Sequence, residues 1–279
     1  ADGLAVILGG RMSNWQSTNQ LLPQSTSYDP ATALLDDRKE RNIATPYAGL
    51  VFDVTRSASV YASYTEIFRP QQNRTVSGAR LDPERGTNVE LGLKGEWFDG
   101  RLNASAAVFE IRKDNLAVLD GANRAPNGSE AYRAEDNTKG RGWELEVTGQ
   151  LAPGWQIQAS YTHVKIRDSE GNALNFHNPV DYFKLFTTYT PPAFNRLTLG
   201  GGIRWQSKIH AWWIDQALVP TYTQKAYSVI DLMGRYRLDR HWSLDAHLGN
   251  LLDKGYRTAV DGHAYGAPRN LFVNLRYDY

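Results

Sequence analysis

The sequence has 279 residues and no Cys, and its 31 Lys and Arg residues nearly balance its 30 Asp and Glu residues, leaving a formal net charge of +1. The missing Cys excludes disulfide frameworks, thiol catalysis and cysteine-bearing zinc or iron–sulfur sites, and the near-zero charge excludes the basic balance typical of nucleic-acid binders. No run of 18 apolar residues predicts a transmembrane helix, but the mean hydropathy of −0.51 does not exclude a membrane β-barrel, because the lumen of such a barrel is polar.

The predicted elements are strands, because apolar and polar residues alternate with a period of two along most of the chain. In chain order, the clearest alternating segments are 89–97, 143–147, 197–205, 230–238, 242–248 and 271–279. Segments 59–66 and 102–111 are also strand-like, but their alternation does not show which face is apolar. Counting the remaining segments, we predict twelve strands.

The connections between these strands alternate between short and long. The short ones are 56–57, 99–100, 152–154, 191–195 and 239–240, and they include the tight-turn pairs Asp-Gly and Pro-Gly. The long, polar ones are 16–42, 70–87, 113–137, 167–180, 213–223 and 254–264. Short turns on one side and long loops on the other are typical of an outer-membrane barrel.

Aromatic residues and charges support the same interpretation. A set of rings lies near the short turns or the end of the chain, as in an interfacial girdle: Trp97, Trp143, Trp155, Tyr189, Tyr236, Trp242, Tyr277 and Tyr279. The charged residues share the opposite faces of the strands, where they predict a network of ion pairs inside a lumen: Glu90, Lys94, Glu96, Glu144, Glu146, Asp231, Arg235, Arg237, Asp245 and Arg276. A soluble β-sandwich or propeller is the alternative, but the sequence has no blade-like repeat.

These observations predict an all-β protein, an antiparallel up-and-down transmembrane β-barrel in which residues 1–279 form a single domain. Alternating apolar residues that end on an aromatic residue match the insertion signal of such barrels, and they are Leu271, Val273, Leu275, Tyr277 and Tyr279. Counting back through the alternating connections places both termini on the periplasmic side of a Gram-negative outer membrane.

Five ordered motifs resemble the C-terminal half of TonB-dependent ferric-siderophore receptors. They are 44–52 (ATPYAGLVF), 61–71 (YASYTEIFRPQ), 88–96 (NVELGLKGE), 250–256 (NLLDKGY) and 265–270 (YGAPRN). The resemblance covers nearly the whole chain from about residue 43 onwards. Within the family it is strongest to the hydroxamate-siderophore branch, the receptors for ferric coprogen and rhodotorulic acid and for pyoverdine.

The resemblance implies an outer-membrane receptor for a ferric siderophore, with TonB-dependent uptake in the intact parent. Its implied partners are the siderophore, outer-membrane lipids and the barrel-assembly machinery, with no nucleic acid. Iron enters only as the chelate, so no resident cofactor is expected. A complete member has a plug, a TonB box and 22 strands, whereas these residues carry about the last twelve strands, so TonB is implied only through the missing plug.

Two other interpretations remain open at this point. The chain is either a free-standing or engineered twelve-stranded barrel that acts as a passive pore, or a fragment with no independent function. Closure into a small barrel requires the strand at 4–15 to pair with the one at 265–279. Otherwise the sheet remains a curved half-barrel, which a missing partner completes.

A chelate receptor needs aromatic walls and a few hydrogen-bond donors at its mouth rather than iron ligands. The strongest candidates are Trp212, Trp213 and Tyr222 on the fifth long loop, near His210. The next candidates are Phe68, Arg69 and Gln71 at the end of a strand, and Tyr265 with Arg269 where the last strand begins. The alternative is that these rings form a second girdle that faces lipid.

Enzyme function is a separate possibility, because an outer-membrane phospholipase also has a twelve-stranded barrel. Its chemistry needs a Ser activated by a His. Here Ser160 and His163 are three residues apart, so in a strand they lie on opposite faces. The other histidines have no metal-ligand spacing. We therefore predict that the chain is not an enzyme and has no metal site.

Overall fold

The computed structural model describes residues 3–21, 34–174, 178–210, 223–258 and 264–279, and these form one antiparallel sheet of twelve strands with two small hairpins. The sheet strands, each paired with the next in this order, are β1 (Leu4–Leu21), β2 (Leu34–Thr55), β3 (Ala58–Arg69), β4 (Glu84–Trp97), β5 (Leu102–Asp114), β8 (Thr138–Ala152), β9 (Trp155–Arg167), β10 (Asp181–Tyr189), β11 (Leu197–Gln206), β14 (Tyr227–Arg237), β15 (Trp242–Gly249) and β16 (Asn270–Tyr277). The hairpins pair β6 (Leu116–Arg124) with β7 (Glu130–Glu135), and β12 (Ile209–His210) with β13 (Thr223–Gln224).

The twelve strands and the up-and-down order are confirmed, and the main differences from the prediction lie in two long connections. Strands β1 and β2 continue to Leu21 and from Leu34, so most of the predicted loop at 16–42 is a paired ribbon. Residues 16–20 and 36–42 are all polar, so alternation could not reveal it. The connection at 113–137 contains the hairpin β6–β7, in which Leu119 pairs with Tyr132.

The sheet is open, because β1 and β16 are its two edges. Among the described residues these strands share no register, so the pairing of the first strand with the last, which a closed small barrel requires, is not present. An unpaired edge leaves backbone N–H and C=O groups without strand partners. Of the two outcomes expected from the sequence, the structure has the open sheet.

One face of the sheet is apolar. The register places Leu91 of β4 beside Ala62 and Val108, and Val108 beside Trp143. This settles the faces of β3 and β5, which alternation left ambiguous. We call this side the apolar face. At the far edge it carries the predicted insertion signal, because Leu271, Val273 and Leu275 of β16 are exposed there.

The opposite side, which we call the polar face, carries the predicted lumenal charges. Lys94, Ser105 and Glu146 lie side by side on β4, β5 and β8. The predicted network of ion pairs is present in places: Arg235 bonds to Asp245 across β14 and β15. Away from the long-loop end, the alternation therefore separates a charged face from an apolar one.

The short turns and the long connections lie at opposite ends of the sheet, which we call the short-turn end and the long-loop end. Rings such as Trp97, Trp155 and Trp242 lie beside short turns, as predicted. Trp143 does not: it lies five residues into β8, in the half nearer the long-loop end. Its assignment to the short-turn girdle was wrong, because its distance along the strand was not considered.

No helix among the described residues has the length and apolar character to cross a membrane.

Candidate ligand-binding site at the long-loop end

The three aromatic residues that the sequence favoured most, Trp212, Trp213 and Tyr222, lie outside the described residues. Their neighbour His210 is described, in the small hairpin β12–β13. Its Nδ1 lies 2.9 Å from the hydroxyl of Thr223 across that hairpin. The predicted role of the fifth long loop therefore stays a prediction.

Phe68 and Arg69 end strand β3 at the long-loop end. The guanidinium of Arg85 lies 5.5 Å from the centre of the Phe68 ring, a cation–π arrangement. Arg69 lies 3.9 Å from the carboxylate of Glu84, and its side chain is 71% exposed. Arg69 is therefore accessible on the polar face at the rim, whereas Phe68 is half-buried on the apolar face, and each has a partner on β4.

Gln71 is different, because its side chain is buried. Its amide nitrogen donates to the carbonyl oxygens of Asp82 and of Asn115, the latter at 2.8 Å. These bonds join the loop after β3 to the end of β5. The structure therefore gives Gln71 a role in holding the loop, whereas its predicted contact with a ligand is untested.

Tyr265 is 68% exposed just before β16. The guanidinium of Arg257 lies 5.2 Å from its ring centre and donates to its hydroxyl at 3.2 Å. Nearby, the backbone N–H of Arg269 donates to the carboxylate of Asp253 at 2.8 Å. These contacts hold the segment between β15 and β16 against itself and leave the Tyr265 ring open to solvent.

An aromatic cluster that the sequence analysis did not select lies on the polar face at the long-loop end. The hydroxyls of Tyr182 and Tyr227 both donate to the side-chain oxygen of Gln206, at 3.1 and 3.0 Å. The Tyr227 ring stacks on Tyr256 with centroids 4.8 Å apart. We call Tyr182, Tyr227 and Tyr256 the tyrosine cluster. The amine of Lys184 lies 5.3 Å from the Tyr182 ring and adds a cation.

The sequence pattern around these tyrosines explains why the sequence analysis did not select them. Tyr182 directly precedes Phe183, so β10 has aromatic residues on both of its faces at this point. The alternation of apolar and polar residues therefore did not mark the Tyr182 ring as unusual. Tyr256 lies outside any strand. The register of β10, β11 and β14 brings Tyr182 and Tyr227 to Gln206, and the ring contact adds Tyr256.

A glycine and a buried asparagine position Tyr256. Its ring lies directly on the backbone of Gly266, where an added Cβ would collide with the ring atoms. Asn250 is 3% exposed, and its amide nitrogen donates to the carbonyls of Lys254 and Ala267, both at 3.0 Å. Its side-chain oxygen accepts the N–H of Lys254 at 2.8 Å. Asn250 therefore ties both arms of the last long connection together.

The site as a whole combines aromatic surface with cations. Beyond Lys184, the polar face carries Arg204, which lies 3.4 Å from Asp231. Flat rings with hydroxyls bury the surface of a bulky ligand, and the cations attract anionic groups. In the part of the chain that the structure describes, no three His, Asp or Glu side chains gather as they would around a metal ion. The arrangement suits recognition of a ligand rather than chemistry on it.

The phospholipase arrangement fails in the way the spacing predicts. Ser160 pairs with Lys184 on the polar face, whereas His163 pairs with Asp181 on the apolar face. The Nδ1 atom of His163 lies 2.6 Å from the Asp181 carboxylate. The prediction that these two residues cannot act as a pair is confirmed by the register.

Comparison with known proteins identifies the class. Residues 1–251 match the family model described as TonB dependent receptor-like, beta-barrel, so the chain belongs to this family. It is 40% identical over 285 residues to the ferric-pyoverdine 358 receptor of Pseudomonas putida, and 38% identical over 292 residues to the ferripyoverdine receptor of Pseudomonas aeruginosa PAO1. Both alignments cover all of this chain and 34% of the relative, so the chain spans about a third of their length.

A solved structure agrees with this assignment. The pyoverdine outer membrane receptor FpvA of P. aeruginosa PAO1, bound to pyoverdine, superposes with a TM-score of 0.85 at 37% identity. The match covers all of this chain and 40% of that one. These relatives are receptors, which agrees with the prediction that the chain is not an enzyme.

Proposed function

We propose that this chain is the C-terminal portion of an outer-membrane barrel that takes up a ferric siderophore by TonB-dependent transport. The family and the receptors it resembles support this function. The observation that carries it is the tyrosine cluster, which lies on the polar face at the long-loop end. In a receptor with its long loops outside the cell, that position is the upper wall of the lumen.

The chemistry of the cargo explains why this site has rings rather than metal ligands. A siderophore already surrounds its iron with its own oxygens, so the protein recognises the outer surface of the chelate. The stacked rings of Tyr227 and Tyr256 offer apolar area, while the hydroxyls of Tyr182 and Tyr227 are held in fixed directions by Gln206. A rigid aromatic wall binds such a surface with a small loss of side-chain entropy.

The same function implies the partners of the chain, its orientation in the membrane and the class of its siderophore. The outer leaflet and the barrel-assembly machinery are partners of the apolar strands, both termini of the chain face the periplasm, and TonB acts through a plug. Of the siderophore classes, we propose a hydroxamate. Uptake measured with chemically defined hydroxamate and catecholate chelates tests that choice.

The central test is a double variant, Tyr227→Ala with Tyr256→Ala, in the intact receptor that contains this chain. Because it removes the stacked pair, we expect the dissociation constant of the ferric siderophore to rise about tenfold or more. Binding is measured by fluorescence titration, and uptake by radioactive iron accumulated in cells.

The matched control is Tyr189→Ala with Tyr236→Ala, which removes two rings from the apolar face near the short turns. It should leave chelate affinity unchanged when the protein level in the membrane is equal. Equal affinity in both double variants and the parent would remove the tyrosine cluster from the site.

A passive pore has less support, because β1 and β16 are unpaired edges; steady open-channel current from the chain alone would favour it.

A further inference from the structure

The apolar face ends in two rows of charged residues before the long loops begin. In one row Arg141 of β8 lies between Glu110 and Lys165, and in the next Lys139 lies between Arg112 and Arg167. Side chains two residues apart in a strand share a face, so these groups continue the face of Trp143 and Leu145. We call the five cations the outer basic patch: Arg112, Lys139, Arg141, Lys165 and Arg167.

An aromatic stack lies directly below the patch. The Trp143 ring lies 4.9 Å from that of Tyr161 with an angle of 11° between them, and 5.9 Å from that of His163. Trp143 and His163 form the row next to Arg141 and Lys165. Tryptophan and tyrosine rings favour the headgroup level of a bilayer. The stack therefore marks that level, and the patch lies just beyond the hydrocarbon.

The patch keeps a net positive charge. Its central carboxylate, Glu110, pairs with Arg112 at 2.6 Å and with Arg141. The five cations and Glu110 sum to +4, and the carboxylates of Asp168 and Glu170, which line the same cleft, reduce this to +2. The side chains of Arg112 and Arg141 are still 61% and 67% exposed, so each guanidinium has N–H groups directed to solvent.

The nearby acidic residues have other partners, and the Glu170 carboxylate accepts the side-chain amide of Asn172 at 3.3 Å. Asp181 holds His163 at 2.6 Å, with Lys165 as a more distant charge. The carboxylate of Asp168 accepts the backbone N–H groups of Glu170 and Asn172 within its own turn. Over the described residues, no hydrogen bond or ion pair engages the ammonium groups of Lys139 and Lys165. These two cations line an open cleft of about 560 Å³ beside Trp143.

We propose that the outer basic patch binds the phosphate-bearing headgroup of a membrane lipid, whose acyl chains lie on the apolar strands below. Guanidinium and ammonium groups together recognise phosphate oxygens strongly, and basic sites at a membrane surface select anionic headgroups. The patch is on the opposite face from the tyrosine cluster, so it is separate from the chelate site. The inference rests on the proposed function only in that the apolar face lies in a membrane.

The test uses the intact receptor in detergent, with phosphatidic acid as the phosphomonoester probe and phosphatidylcholine as the neutral-headgroup reference. In Lys139→Gln with Lys165→Gln, the ion pairs of Glu110 are kept while two cations are lost. We expect the dissociation constant for phosphatidic acid, measured by native mass spectrometry, to rise about tenfold or more. Binding of phosphatidylcholine should not change.

The matched control, Arg56→Gln with Arg240→Gln, removes the same charge from exposed positions at the short-turn end. It should bind phosphatidic acid as the parent does, and equal weakening in both variants would overturn the proposal. Displacement of the lipid by equimolar inorganic phosphate would show a free-phosphate site instead and also overturn it. Siderophore uptake by the same variants is measured in parallel. Because uptake depends on the polar face and lipid binding on the apolar face, a loss of uptake tests the proposed function and a loss of lipid binding tests the outer basic patch.

Discussion

At the scale of single residues, the position of Tyr256 depends on two small features. Gly266 leaves room for the ring on its backbone, and Asn250 gathers three backbone groups around one buried amide. Asn250 also has a positive φ of 49°, a conformation that asparagine tolerates better than most residues. The tyrosine cluster is therefore held in place by residues that would not touch a ligand.

Asn250→Ala removes the three side-chain hydrogen bonds from a buried site. We expect residues 250–258 and 264–269 to lose about 3 kcal/mol of opening free energy, measured by amide hydrogen exchange in the receptor. The control is Asn137→Ala, at an exposed asparagine with a similar φ of 54°, whose side chain makes no hydrogen bond to the described residues. Asn137→Ala therefore measures only the free-energy cost of placing Ala at a positive φ. Equal losses of opening free energy in the two variants would contradict the role of the Asn250 side-chain hydrogen bonds.

Gly266→Ala tests the approach of the ring. The added methyl collides with Tyr256 and displaces it, so we expect the affinity for the ferric siderophore to fall about as far as in a variant that lacks the ring. Gly255→Ala, in the same connection, meets nothing within 4 Å and should bind as the parent does. Unchanged affinity in Gly266→Ala would mean that the position of Tyr256 does not matter for binding.

At the scale of elements, Asp239 organises the turn between β14 and β15. Its carboxylate accepts the backbone N–H groups of His241 and Trp242, both at 2.8 Å. These bonds favour the charged form and lower the pKa of Asp239 below its ordinary value. Since the folded-state pKa is the lower one, the carboxylate stabilises the turn above its unfolded pKa of about 3.9.

The consequence is a pH dependence of a defined sign. We expect the stabilisation by Asp239 to be complete above about pH 5 and to be lost as the pH falls through the folded-state pKa. In urea unfolding of the receptor, the difference between the parent and Asp239→Ala should shrink over that interval. Asp239→Asn keeps an acceptor oxygen without the charge, so its own contribution should not vary with pH. A parent–Ala difference that is the same at pH 3 and pH 7 contradicts this account.

Most of the strands could be predicted from the sequence. In a sheet with one apolar and one charged face, apolar residues such as Leu244 and Leu275 alternate with polar ones along each strand. The paired extension of β1 and β2 could not, since Ser17 and Arg38 are both polar and give no such signal. The tyrosine cluster was missed for a related reason. Tyr182 and Tyr227 come together through the register of separate strands, and Tyr256 joins them from a connection, which composition along a single segment does not encode.

At the scale of the whole molecule, the sheet has two free edges. Every strand between them is paired on both sides, while β1 and β16 each have one neighbour. In hydrocarbon an unpaired backbone group costs several kcal/mol, so both edges need partners in a membrane. The relatives named above are about three times as long as this chain.

Cysteine cross-linking tests whether the edges join, and the absence of native Cys makes the assay clean. In the chain alone, Val6→Cys with Val273→Cys joins the two edges only if the sheet closes on itself, and we expect no intramolecular disulfide. Ala246→Cys with Val273→Cys, between register partners on β15 and β16, should cross-link readily. A disulfide between the two edges in a monomer would establish a closed twelve-stranded barrel.

The strict neighbour-to-neighbour order of the sheet also has a kinetic meaning. Each sheet strand pairs with the next sheet strand along the chain, so the pairing can grow hairpin by hairpin with modest loop-closure entropy at every step. Only the seam that completes a barrel joins strands far apart in sequence. The pairings within this sheet therefore avoid the slow, long-range step of assembly, and we expect destabilising changes in its central hairpins to alter early folding rates rather than the rate of closure.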